Sequence, residues 1–187
     1  MLAGVFVGGA GRRMGGAAKG LLIAPGGDPI VVRTCGLLVQ SGVRCVLVGE
    51  HGAYREVGAQ LGVATLADQP AGIGPLGGLI ALLRAARGDS ELAIGGDMPY
   101  LTRELVAGLC DAPAASAVAP RMDGRWQPLF ARFDATTALP VAVRRAALGQ
   151  FALHGLLDEL GTVELLMTED SLAGLRDWDL PGDVEEQ

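Results

Sequence analysis

The residues best suited to chemistry crowd the start of the chain. No carboxylate occurs in the first 27 positions, yet Arg12, Arg13 and Lys19 do. They sit in Phe6-Val7-Gly8-Gly9-Ala10-Gly11-Arg12-Arg13-Met14-Gly15-Gly16-Ala17-Ala18-Lys19-Gly20, whose six glycines between positions 8 and 20 let the backbone turn tightly and approach a ligand without Cβ clashes. Successive exposed N–H groups in such a loop make an anion-binding concavity. A guanidinium adds forked donors to phosphate oxygens, and Lys19 adds a mobile point charge. The loop is not a Rossmann fingerprint, because Gly9-Ala10-Gly11 is followed by Arg12-Arg13-Met14. Nor is it a Walker A loop, because Lys19 lies between Ala18 and Gly20.

Acids follow later, at the ends of apolar runs. Asp97, in Ile94-Gly95-Gly96-Asp97-Met98-Pro99, comes just after a predicted strand that Pro99 forces to exit. A carboxylate there can hold Mg²⁺, which binds through one or two carboxylates plus substrate phosphates. The competing task, capping the next helix, suits Thr102 better. Asp68 also ends a strand-like run and serves equally as a turn residue before Pro70. Asp177 and Asp179 are two apart, so an extended segment aims both to one side, and Asp179 is a candidate second metal contact or an ordinary surface acid. Gly74-Pro75-Leu76-Gly77-Gly78 opens a helix, with Pro75 in its first turn and glycines that permit approach of a base or ribose, or simply tight packing. Arg121, Arg125 and Gln127 border a hairpin and are open to either an acceptor role or solvent.

The elements that must position these groups alternate along the chain. Leu2–Val7, Cys45–Val48, Val63–Leu66 and Leu92–Ile94 read as short buried strands. Pro29–Gln40, Ala53–Leu61, Leu76–Ala86 and Arg103–Leu109 carry apolar residues at helical spacing. This alternation predicts parallel βαβ units with right-handed crossovers, covered on both faces. After Asp111, Ser116–Pro120 and Trp126–Phe133 flank Arg121-Met122-Asp123-Gly124, whose Asp-Gly pair signals a hairpin. Asp134–Ala147 and Phe151–Leu160 read as helices and Thr162–Met167 as a strand. With 187 residues and no linker or repeat, the expectation is one domain over residues 1–187. Its fold class is a three-layer α/β/α sandwich, a Rossmann-like, mostly parallel sheet with a small antiparallel excursion in its second half.

A net charge of −6 argues against a nucleic-acid-binding surface. The apolar run after Met1 has no basic region ahead of it and is broken by glycine within eight residues, so it predicts a strand rather than a signal peptide or membrane span. Cys35, Cys45 and Cys110 form no CxxC pair, which predicts reduced thiols in a cytoplasmic protein.

Together these motifs resemble the molybdenum cofactor guanylyltransferases, within the MobA-like nucleotidyltransferases. Phe6 to Leu21 is similar to the signature L-A-G-G-x-x-R-R-M-G-G-x-D-K-G-L, Gly74–Gly78 to G-P-L-x-G, and Gly96–Pro99 to C-D-x-P. Trp126-Gln127-Pro128-Leu129-Phe130 resembles H-P-L-F, and Asp177–Pro181 the terminal N-x-N-T-P or D-x-D-T-P. The resemblance implies transfer of GMP from GTP to the terminal phosphate of molybdopterin with release of pyrophosphate and use of Mg²⁺. It implies a nucleotide site at Phe6, Val7, Gly8, Gly9, Lys19, Asp68, Gly74, Pro75, Leu76, Gly77 and Asp97, with catalysis by Arg13, Lys19 and Asp97 and metal at Asp97 and Asp179. It also implies transient contact with cofactor-biosynthesis proteins or molybdoenzymes, and no nucleic acid or membrane partner. A related nucleotidyltransferase using another nucleotide or acceptor (a cytidylyltransferase or a sugar-phosphate enzyme) and a non-catalytic nucleotide-binding homologue are the alternatives.

Overall fold

A computed structural model describes residues 1–8, 18–49, 52–86 and 90–178. Its first strand, β1 (Leu2–Phe6), is buried along its whole length. Alternate side chains go to opposite faces, as strand geometry requires. Ala3 and Val5, with Val7 just beyond the strand, join one apolar cluster, and Leu2 and Phe6 join another. The first cluster lies under α1 (Ile30–Gln40) and α4 (Arg103–Asp111), the second under α3 (Pro75–Ala85), α5 (Ala135–Ala147) and α6 (Leu153–Glu159). Two cores on two faces give the three layers.

Parallel pairing sets β1 between β2 (Arg44–Val48) and β4 (Ser90–Gly95), with β3 (Thr65–Leu66) outside β2. Helix α2 (Gly52–Leu61) connects β2 to β3. Helix α3 is buried from Leu76 to Leu83, which its nearly continuous apolar sequence demands. It sits close because Gly4 has no side chain; a Cβ there would come within 2.8 Å of both Leu82 and Val48. Helix α4 begins as expected, with the Thr102 hydroxyl accepting from Leu105 N–H at 3.3 Å.

The second half departs from the expected hairpin in detail. Trp126–Phe133 is not one strand: it divides into β7 (Arg125–Trp126) and β8 (Phe130–Asp134). Strand β8 is antiparallel and inserts between β4 and β5 (Ala117–Ala119), so the sheet runs β3-β2-β1-β4-β8-β5, ending on β9 (Val163–Glu164). The antiparallel element is therefore internal to the main sheet. Strand β6 (Arg121–Met122) pairs with β7 as a separate hairpin above it. Asp123 and Gly124 both have positive φ, 51° and 74°, the geometry of a type I′ turn and the reason for the Asp-Gly pair. The expected strand Thr162–Met167 shrinks to β9, and a short helix, α7 (Glu169–Ala173), follows. Among the described residues no helix is long and apolar enough to cross a membrane.

Candidate active site

Ligands of open parallel sheets lie beyond the carboxyl ends of the strands, and three strand ends converge here. Val7 N–H donates to the Val48 carbonyl at 2.9 Å, and Gly96 N–H donates to the Phe6 carbonyl at 2.9 Å, stitching the ends of β1, β2 and β4 together. Glycine makes the crossing possible. Gly49 has φ +109°, and a Cβ on it would lie 2.6 Å from the Gly8 Cα. No L side chain fits that conformation or that gap.

Lys19 opens a single 3₁₀ turn (Lys19–Leu21). The turn is anchored by Gly20, whose N–H donates to the buried hydroxyl of Tyr54 on α2 at 2.8 Å. Gly20 is wedged: a Cβ on it would lie 2.8 Å from the Gly96 carbonyl and 3.0 Å from the Tyr54 hydroxyl. This places the Lys19 ammonium 3.9 Å from the Asp97 carboxylate, both side chains being partly exposed. Sequence reading chose Lys19 and Asp97 separately; the fold makes them a pair. It gave no hint of Tyr54, an ordinary tyrosine at helical spacing. Burial pushes the Tyr54 phenol above its usual pKa; the Gly20 hydrogen bond opposes this, and the negative charge of Asp97 adds to it.

At the carboxyl ends of β1 and β2 lies a cavity of about 490 Å³, within the usual range for small-molecule sites. Phe6, Gly8, Val48, Asp68, Gly74 and Pro75 line it, together with the loop residues Ala67, Ala71 and Gly72. The loop folds back on α3 through Gln69 N–H to the Gly77 carbonyl at 3.0 Å. Gly74 takes φ +69° and ψ −155°, backbone that glycine adopts freely. Of the residues expected from Gly74–Gly78, only Gly74 and Pro75 reach the cavity. Leu76 is fully buried in the core, and Gly77 packs against the Pro70 carbonyl. Gly78 has a similar packing role, a Cβ there coming within 2.6 Å of Val48 and 3.1 Å of Asp68 Oδ1.

Gly9, Arg13 and Asp179 lie outside the described residues. The chain leading to Asp179 is nevertheless held at the site, because Trp178 N–H donates to the Asp97 carbonyl at 3.1 Å. The Trp178 ring is buried against Ala24 and Ile30, with Tyr100 edge-on at 6.3 Å. Among the described residues no three His, Cys, Asp or Glu side chains gather as a metal cage. A Mg²⁺ bound mainly by substrate phosphates needs only one or two carboxylates, and Asp97 at a strand end beside Lys19 suits that donor set.

This architecture has known counterparts. Residues 3–163 match the MobA-like NTP transferase domain. The chain is 33% identical over 154 residues to a molybdenum cofactor guanylyltransferase of Pseudomonas putida, covering 80% of this chain and 78% of that protein. It is 31% identical over 162 residues to one of Acidiphilium cryptum, covering 84% and 79%. The fold is similar to that of molybdopterin-guanine dinucleotide biosynthesis protein A from Archaeoglobus fulgidus, with a TM-score of 0.78, 23% identity, and 98% and 94% of the two chains covered. The chain thus belongs to the MobA-like NTP transferase family and is a nucleotidyltransferase.

Proposed function

We infer that the chain transfers GMP from GTP to the terminal phosphate of molybdopterin and releases pyrophosphate. The observation that carries this reading is the Lys19–Asp97 pair, 3.9 Å apart, at the carboxyl edge of a parallel sheet, where a cavity bordered by Asp68 also lies. Relatives that are molybdenum cofactor guanylyltransferases support the choice of nucleotide and acceptor. In this reading the nucleoside occupies the cavity, with the Asp68 carboxylate accepting from a ribose hydroxyl or base N–H. The glycine-rich segment has the composition to bind the phosphates.

An oxygen of the acceptor's phosphate attacks the α-phosphorus in line. The new P–O bond forms as the bond from the α-phosphorus to the α,β-bridging oxygen breaks, and pyrophosphate leaves with that electron pair. Lys19 and Arg13 donate to the oxygens on which negative charge grows, the kind of preorganised stabilisation that supplies much of enzymatic acceleration. Asp97, with Asp179 as a second ligand, would hold Mg²⁺, whose contribution is to offset phosphate charge. The three cysteines are free thiols, in keeping with a reducing cytoplasm.

The test is pyrophosphate release from each nucleoside triphosphate, with and without molybdopterin, in Mg²⁺. Release that is selective for GTP and dependent on the pterin supports the reading. Preference for CTP, or release indifferent to the pterin, would replace it with another nucleotidyl transfer on the same fold.

A further inference from the structure

Trp178 packs against the chain segments that carry both members of the Lys19–Asp97 pair. Its ring is 2% exposed and forms a small apolar cluster with Ala24 and Ile30, apart from the two large cores, and Leu22 and Tyr100 pack against that cluster. Leu22 lies three residues after Lys19, and Tyr100, whose ring meets the indole edge-on at 6.3 Å, lies three after Asp97.

Backbone hydrogen bonds complete the connection on both sides. Leu22 N–H donates to the Lys19 carbonyl at 2.9 Å, and Ile30 N–H donates to the Leu22 carbonyl at 3.0 Å, so the Lys19 turn is fastened to the start of α1. On the other side, Trp178 N–H donates to the Asp97 carbonyl at 3.1 Å. Asp97 lies two residues beyond β4, past its last pairing with β1 at Gly95, so the strand ladder no longer fixes it. The route Lys19–Leu22–Ile30–Trp178–Asp97 therefore closes on itself across the 3.9 Å between ammonium and carboxylate.

The segment that brings Trp178 is itself anchored. Leu175, 1% exposed, sits in the core under α1 and α4, and Gly174 passes α4 closely, since a Cβ there would come within 2.6 Å of Leu105. Three residues on, the indole adds the burial of a large aromatic, about 150–250 Å². Two buried side chains thus hold the backbone N–H from which Asp97 accepts.

We propose that Trp178 is a positioning residue for nucleotidyl transfer, setting the separation of the Lys19 ammonium and the Asp97 carboxylate by packing on the Lys19 side and holding the Asp97 carbonyl. The inference rests on that pair carrying the transfer, as the proposed function has it, and on no particular base or acceptor. Trp178 does not line the cavity that Asp68 borders, so its effect belongs in kcat rather than in nucleotide affinity.

Trp178→Leu keeps an apolar side chain but underfills the cluster, and Trp178→Phe keeps a ring. The readout is pyrophosphate release from the nucleoside triphosphate that the unaltered protein turns over best, with kcat and KM separated. Trp178→Leu should lower kcat about 10–100-fold with KM little changed, the scale of a small misplacement caused from outside the chemistry, and Trp178→Phe should restore most of it. Leu38→Ala, at a fully buried position roughly two turns along α1 from Ile30, lowers stability without touching the cluster and should leave kcat near normal. In an Asp97→Asn background, Trp178→Leu should cost little more, because groups that act through one another are not additive. Normal kcat in Trp178→Leu, a change confined to KM, an equal fall in Leu38→Ala, or an undiminished effect beside Asp97→Asn would each overturn the proposal. Near-normal turnover in Asp97→Asn alone would sink the proposed role of the pair and this inference with it. A costly Asp97→Asn with a normal Trp178→Leu would sink only the inference. A crystal structure of Trp178→Leu answers without an assay: the Lys19–Asp97 separation should widen from 3.9 Å, and an unchanged separation would overturn the proposal.

Discussion

Tyr54 fixes where Lys19 stands, through one hydrogen bond from Gly20 N–H at 2.8 Å, and Asp97 is the charge that Lys19 meets. Replacing Asp97 with Asn keeps shape and removes charge, so turnover should fall about 10²–10³-fold, the scale for losing one transition-state stabiliser. Steady-state kinetics of pyrophosphate release checks this, and near-normal turnover that still requires Mg²⁺ would remove Asp97 from the metal site. Tyr54 has a different signature. Its phenol is raised above the ordinary value of 10.0, chiefly by burial. A group whose folded pKa is raised contributes stability that is fully present below the unfolded value and is lost as pH rises through the folded one. The wild type should therefore lose stability more steeply than Tyr54→Phe as pH rises past about 10, as read from urea midpoints. Parallel pH profiles for the two proteins would count against a buried, pH-linked phenol.

Strand β8 shows why some elements can be read from sequence and others cannot. Strand β1 and helix α3 are apolar on every side because they are covered on every side, so composition alone reveals them. Strand β8 carries Arg132 at its centre, which looks like a solvent-facing residue, yet Arg132 is only 5% exposed. Its guanidinium donates to the carbonyls of Cys110 at 2.9 Å and Ala112 at 2.7 Å, and also to Pro113. The Cys110 and Ala112 carbonyls lie at the end of α4, where carbonyls lack helical partners, and a cation is what they need. Chain order also says nothing of a strand returning to insert between two earlier ones, so the place of β8 was hidden. The same ambiguity affected Gly74–Gly78, because glycine marks both ligand approach and close packing; Leu76 and Gly77 turned out to pack. Arg132→Leu removes the donors and strands the carbonyls, and should cost at least about 2–3 kcal/mol. A lower urea midpoint at unchanged slope is the expected result, with the affinity for GTP retained because β8 does not line the cavity proposed for the nucleotide. A loss of nucleotide affinity as large as the loss of stability would show that the α4–β8 clamp also positions the site.

At the scale of the whole molecule, the cavity proposed for the nucleotide is a junction. Strands β1 and β2, the loop after β3 and the start of α3 all border it, and each belongs to a core that spans the sheet. A ligand seated there bridges elements that must separate on unfolding, so binding should stabilise the entire fold rather than one loop. Linkage sets the size: ligand at about 100 times its dissociation constant adds about 2.7 kcal/mol. For a chain of this length that corresponds to roughly 5–10 °C in Tm, at about 2–4 °C per kcal/mol. Asp68 brings the one charged side chain to a cavity otherwise lined by apolar residues and glycine, so the shift should depend on the base as well as the phosphates. With Mg²⁺ present, GTP should raise Tm by the full amount and CTP or UTP at equal concentration by clearly less. Asp68→Asn should narrow that difference while leaving the phosphate-driven part of the shift, because Lys19 and Asp97 do not line the cavity that Asp68 borders. Equal shifts from all nucleotides in the unaltered protein would mean that the cavity holds the sugar and phosphates alone.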